Sequence, residues 1–95
     1  MKIGELKAGM RNVSVTGKID SVGESRTVNL KAGGTNNVDD AIISDESGSM
    51  KLSLWGDDIE KVHAGDRVSI ENGYINTFKG ENSINIGKFG KLNKV

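Results

Sequence analysis

The feature that most constrains the fold is the strict alternation of residues 50–56, which read Met-Lys-Leu-Ser-Leu-Trp-Gly. Successive side chains of a β-strand point to opposite faces, so this pattern predicts a half-buried strand. Its leucines face a core, while Lys51, Ser53 and Trp55 share the outer face. An outward aromatic beside a cation favours single-stranded nucleic acid, since a base can stack on the ring. A Trp half covered by a neighbouring loop is the alternative interpretation.

Composition limits the chemistry of the chain. Ninety-five residues make one small domain, and the absence of Cys excludes a disulfide framework or a thiolate metal site. The single His cannot assemble a His-based metal centre, so we expect no metal and no cofactor. Thirteen basic and 13 acidic residues give zero net charge, which counts against a generic polyanion-binding protein. Thirteen Gly and no Pro favour an all-β domain with tight turns.

Hydropathy shows neither an apolar signal region near residue 1 nor a run long enough to span a bilayer. We therefore expect a cytoplasmic protein with no membrane partner. The sequence contains no nucleophile–base pair, no phosphate-cradling Gly loop with Lys and no metal-ligand cluster. We therefore predict that the chain is not an enzyme and has no catalytic residues or small-molecule substrate.

Alternation elsewhere predicts five strands and one helix. The strands are expected at about 11–22, 38–44, 50–56, 66–74 and 83–89, and the helix at 57–65. Gly17 falls on the buried parity of the first strand and predicts a bulge or bend there. Residues 23–37 are expected to form an extended, hairpin-like loop and residues 76–82 a polar loop. The pair Asp39 and Asp40 is predicted to be solvated at the start of the second strand.

Five strands, a short helix between the third and fourth, and long loops after the first and fourth predict an oligonucleotide-binding (OB) Greek-key barrel. In that fold the second and third strands and the two long loops form the ligand face. Residues 50–56 would then lie at the centre of that face.

Several segments then carry a resemblance to a known family. They read IGELKAGM at 3–10, DESG at 45–48, LSLWG at 52–56, GDRVSIENGY at 65–74, FKG at 78–80 and INIG at 84–87. Together they resemble the OB domains of archaeal single-stranded DNA-binding proteins and of archaeal replication protein A. The resemblance implies one OB domain over residues 1–95, taken from a longer multi-domain chain, that binds single-stranded DNA without strong sequence preference in replication, repair or recombination. It also implies a nucleoid-associated location and, as partners, other domains or subunits of a single-stranded DNA-binding complex.

The same resemblance implies which side chains meet the DNA. Trp55, Tyr74 and Phe78 would stack on bases. Lys79 would lie beside the last of these rings. Apart from the resemblance, we expect cations near the face to meet phosphates, and the candidates are Lys51, Lys79, Arg67, Arg26 and Lys88; Ser53 and Asn85 complete the candidate nucleic-acid-binding residues. Tyr74 shares the parity of buried neighbours, so it is a core residue unless a bulge at Gly73 turns it outward. For Phe89 we prefer packing against the barrel to a place on the platform.

Two alternative functions remain on the sequence alone. The first is a protein-interaction domain of a replication complex, which would use the Trp55 patch or an acidic surface around Asp39, Asp40, Asp57 and Asp58. The second is RNA binding, as in anticodon-binding barrels, although no residue indicates a reader of the ribose hydroxyl.

Overall fold

The computed structural model describes residues 2–23, 25–56 and 58–95, apart from the side chains of Phe78 and of residues 87–89. A short 3₁₀ turn, Ile3–Glu5, precedes the strands. The other elements in chain order are β1 (Val13–Val22), β2 (Arg26–Asn29), β3 (Thr35–Asp45), β4 (Gly48–Trp55), α1 (Asp58–Lys61), β5 (Arg67–Phe78) and β6 (Glu81–Lys94). The helix found in this part of the chain is too short to cross a membrane.

Five of the strands close into a barrel. β1 pairs with both β3 and β5, β5 pairs with β6, and β4 pairs with β3, all antiparallel. The ring is completed by a parallel pairing of β4 with β6, in which Lys51, Leu52 and Ser53 lie opposite Ser83, Ile84 and Asn85. The predicted five-stranded OB barrel, with its short helix between the third and fourth barrel strands, is confirmed. β2 is an additional strand that pairs with β3 outside the ring.

The inward side chains of the alternating strands fill the barrel, as the sequence predicts. Buried and exposed residues alternate along β1 from Val13, and the leucines of β4 are fully buried. Of the bulge or bend predicted at Gly17, the bulge is wrong, because the register irregularities of β1 fall between Val13 and Val15 and between Ile19 and Ser21, while the bend stays a prediction. Gly17 is needed for close approach instead, since a Cβ there would lie 2.7 Å from the carbonyl oxygen of Ser44.

One end of the barrel is closed by the segment before β1, which packs Ile3 and Leu6 into the core. The Ile3 amide donates to Asp45 Oδ2 over 2.9 Å, and the Gly4 amide donates to Ser47 Oγ over 2.8 Å. The hydrogen bond from Ile3, followed by one from the Ser47 hydroxyl, lowers the pKa of Asp45 to about 2. We call this region, residues 3–6 with the β3–β4 turn at 45–48, the closed end.

Local geometry corrects two sequence-based boundaries and confirms a third segment. The helix predicted over 57–65 is the single turn α1, and Val62 beyond it is buried against the core. The start of the predicted helix at Asp57 lies outside the described residues. The loop predicted over 76–82 is mostly strand, because Lys79 and Gly80 form a two-residue turn with φ of 52° and 80° whose twist suits a hairpin. The hairpin-like segment 23–37 is confirmed as a hairpin made by β2 and the start of β3.

Candidate nucleic-acid interface

A groove of about 460 Å³ crosses the barrel where β4 and β6 meet. Ser53 of β4 and Ser83 of β6 form part of its floor, and the hairpin of β2 and β3 forms one wall. The parallel pairing places outward side chains of both floor strands in one row, because facing residues in a sheet point the same way. We refer to this site as the groove.

Trp55 stands in the groove at the end of β4, with 37% of its surface exposed. Its partner on β3 is Val38, which is 3% exposed and also lines the groove. Val28 and Leu30 of the neighbouring hairpin line the same space. A hairpin therefore flanks Trp55, as one sequence-based interpretation expected, and more than a third of its surface remains exposed; its role as a base platform stays a prediction.

Tyr74 lies on β5 beside the groove and does not line it; the β5 residue that lines it is Asn76. The register of β5 against β6 shifts between Glu71 and Gly73, and Asn72 has a φ of 55°. This bulge buries Gly73 and leaves Tyr74 41% exposed, so the outward alternative holds. In register, Tyr74 lies opposite Asn85, which in turn lies opposite Ser53 in the groove.

Two of the three cations among the described groove residues are paired with carboxylates. Arg26 Nη1 lies 3.0 Å from Asp40 Oδ2 on the hairpin wall, and Lys51 Nζ lies 3.1 Å from Glu81 Oε2 across the floor. Lys31, at the turn between β2 and β3, also lines the groove. Three cations and two carboxylates thus face the same space.

Other predicted site residues lie outside the groove or are mostly buried in it. Arg67 lines a separate depression with Thr16 and Asp45 near the closed end, and it does not join the groove. Asn85 lines the groove but is only 6% exposed, and its Nδ2 donates to Ser83 Oγ over 3.3 Å. Lys79 lies exposed in the β5–β6 turn. The predictions for the side chains of Phe78, Lys88 and Phe89 fall outside the described part of the structure.

The predicted solvated pair Asp39–Asp40 is wrong for Asp39, whereas the side chain of Asp40 is 30% exposed. Asp39 is 2% exposed, and its Oδ1 has no hydrogen-bond partner among the described residues. It shares the parity of Ala41 and Ile43, so strict alternation along β3 would have predicted its burial. Asp40 points to the other face, where it pairs with Arg26 in the groove.

Sequence reasoning missed the apolar wall and the acidic members of the groove. Val28 and Leu30 alternate within the segment that was predicted as a loop, and that alternation was the available signal. Glu81 could not be placed, because its position depends on how far β5 and β6 extend beyond the predicted ends. No group of three or more His, Cys, Asp or Glu side chains in the described ranges is placed to hold a metal ion.

Comparison with known proteins now identifies the fold and family. Residues 6–94 match the family described as "Single-stranded DNA binding protein Ssb-like, OB fold". The chain is 36% identical over 91 residues to the single-stranded DNA binding protein Ssb of Saccharolobus solfataricus, covering 96% of this chain and 61% of that protein. It is 34% identical over 76 residues to replication factor A of Methanothermobacter thermautotrophicus, covering 79% of this chain and 10% of that protein. The chain therefore spans less than two thirds of either relative.

Solved structures give the same fold. The OB domain of a Thermoplasma acidophilum protein superposes with a TM-score of 0.86 at 24% identity, covering all of this chain and 85% of that one. A replication factor A related protein from Methanobacterium thermoautotrophicum gives a TM-score of 0.82 at 22% identity, with 100% and 89% coverage. With the barrel, the groove and the match over residues 6–94 in agreement, the chain belongs to the Ssb-like, OB-fold family of single-stranded DNA-binding proteins.

Proposed function

We propose that the chain binds single-stranded DNA in the groove, without strong sequence preference, by stacking bases on exposed aromatic rings. The observation that carries the proposal is Trp55, which is 37% exposed in a groove that also holds three cations. Base–aromatic stacking tolerates every base, since each has a π-face, and cations along a groove follow the phosphates. Membership of a single-stranded DNA-binding family supports the same ligand.

Each part of the groove has a role in this proposal. One base stacks on Trp55, with Val28 and Leu30 covering its other side from the hairpin wall. A second base stacks on Tyr74, which the bulge turns outward on the neighbouring strand. Arg26, Lys31 and Lys51 meet phosphates, while Ser53 offers a hydroxyl to the sugar or phosphate. Replication, repair or recombination is the proposed setting, and other subunits of a single-stranded DNA-binding complex are the proposed partners; similarity to a protein named replication factor A supports this part of the proposal.

Fluorescence titration with oligo-dT tests the proposal directly. Trp55 is the only Trp of the chain, so quenching of Trp emission reports on the groove alone. Trp55→Ala is expected to weaken binding about 5- to 150-fold, which corresponds to roughly 1–3 kcal/mol for one stacked base. Because that variant loses its fluorophore, its affinity is measured by the anisotropy of a labelled oligomer.

Two matched variants sharpen this test. Trp55→Phe keeps an aromatic face and is expected to retain most of the affinity, while Arg67→Gln removes a cation that lies outside the groove and should change little at physiological salt. If three phosphates are neutralised, log affinity falls against log salt with a slope near −2, at roughly 0.7 per phosphate. Unquenched emission at low salt, or equal affinity in Trp55→Ala, would contradict the proposal. Tighter binding to oligo-rU than to oligo-dT would favour RNA as the ligand.

A further inference from the structure

The groove contains two carboxylates, Asp40 and Glu81, beside two of its cations. Asp40 lies on β3 directly opposite Ser53, and Glu81 begins β6 beside the same floor. Each carboxylate forms an ion pair with a cation that the proposed function assigns to phosphate. Asp40 Oδ2 lies 3.0 Å from Arg26 Nη1, and Glu81 Oε2 lies 3.1 Å from Lys51 Nζ. A groove that served only to bind a polyanion tightly would not contain carboxylates beside its cations.

We infer that Asp40 and Glu81 are internal competitors for phosphate, whose exchange with the DNA backbone holds the affinity of the groove down and keeps its binding reversible. This inference rests on the proposed function. A carboxylate and a phosphate offer a guanidinium or ammonium group similar charged oxygens. Arg26 and Lys51 therefore lose one anionic partner when they gain the other.

Each of the two ion pairs has one mostly exposed member, which is Arg26 in the first pair and Glu81 in the second. The side chains of Arg26 and Glu81 are 57% and 71% exposed, so each pair has one member with room to rotate into solvent. Exposed ion pairs contribute little to stability, because water and salt screen them and the long side chains lose entropy. Breaking the pairs is thus expected to alter DNA affinity while leaving the fold intact.

The same arrangement limits the electrostatic attraction of the groove. Among the described residues that line the groove, two of three cations are paired with carboxylates, so these side chains together carry one net positive charge. Removal of either carboxylate exposes one more unpaired cation to the DNA. The affinity should then rise, and its dependence on salt should become steeper.

The test compares Asp40→Asn, Glu81→Gln and the double variant with the unchanged protein. The control is Glu46→Gln, which removes an exposed carboxylate paired with Lys2 at 3.4 Å, away from the groove. Affinity for labelled oligo-dT is measured by anisotropy over a range of salt concentrations, and thermal melting confirms that each variant is folded.

Each groove variant is expected to bind about two- to fivefold more tightly at low salt, and the double variant by roughly the product of the two effects. The salt slope should steepen by up to about 0.7 for each carboxylate removed. Glu46→Gln should bind like the unchanged protein. An equal gain in Glu46→Gln would overturn the inference, because net charge alone would then explain the effect.

Two further outcomes also overturn it. Equal affinity in all variants would mean that the carboxylates do not compete with phosphate. Weaker binding of oligo-dC by Asp40→Asn, with oligo-dT unaffected, would mean that Asp40 accepts a hydrogen bond from the exocyclic amine of cytosine, which thymine lacks. Absence of binding in the unchanged protein and in every variant would refute the proposed function as well.

Discussion

Asp40 and Asp45 belong to the same strand but have opposite surroundings. Asp45, at the closed end, accepts hydrogen bonds from backbone amides of Ile3 and Ser47, which cannot move without unfolding the segment. Asp40, in the groove, is held by the long and mostly exposed side chain of Arg26. At the closed end a carboxylate is hydrogen-bonded to the backbone, whereas in the groove a carboxylate is ion-paired with a mostly exposed side chain. The first arrangement stabilises the fold, while the second leaves a partner that a ligand can replace.

The largest effect that separates the two regions is expected from Ile3→Ala. Ile3 is 1% exposed and packs into the core, so its truncation should lower the free energy of unfolding by about 2–5 kcal/mol. Denaturant unfolding measures the loss, and oligo-dT titration well below the melting temperature checks binding. Comparable DNA affinity is expected, since Ile3 lies at the closed end. A proportional loss of affinity in fully folded protein would show that the two regions are coupled.

A smaller effect, on binding and not on stability, is expected from Tyr74→Ala. The exposed ring contributes a second stacking face, so its removal should weaken oligo-dT binding by roughly 1–2 kcal/mol, about 5- to 30-fold. Tyr74→Phe keeps the face and serves as the control. The melting temperature should change less than in Ile3→Ala. If Tyr74→Ala instead unfolds readily and binds DNA normally, Tyr74 belongs functionally to the core.

The smallest effect is the pH dependence of Asp45. Its folded-state pKa of about 2 lies below the ordinary value of 3.8, so the ionised carboxylate stabilises the fold above the ordinary pKa. That contribution is lost as the pH falls from about 4 towards 2. Asp45→Asn should therefore melt at a lower temperature than the unchanged protein near neutral pH, and the difference should shrink in acid. A constant difference from pH 6 to pH 2 would contradict this role of the charge.

The sequence predicted the barrel because alternation and turn residues agree along most of the chain. It also predicted the outward face of residues 51–55, since a single register slip would have exposed the leucines of β4. Tyr74 could not be assigned in advance, because a bulge reverses the parity of every residue after it. Glu81 and Lys51 are 30 positions apart, and only the parallel pairing of β4 with β6 brings them together.

The parallel pairing between β4 and β6 also has a consequence for folding. The pairings of β3 with β4 and of β5 with β6 are hairpins that close through short turns, whereas Lys51 and Ser83 must meet across the intervening helix and strand. Contacts that close long loops cost more chain entropy and form slowly. Two local hairpins thus meet along the floor of the groove, at a seam of three residue pairs. A strand of DNA lying across that seam would hold the two hairpins together and slow the opening of the barrel.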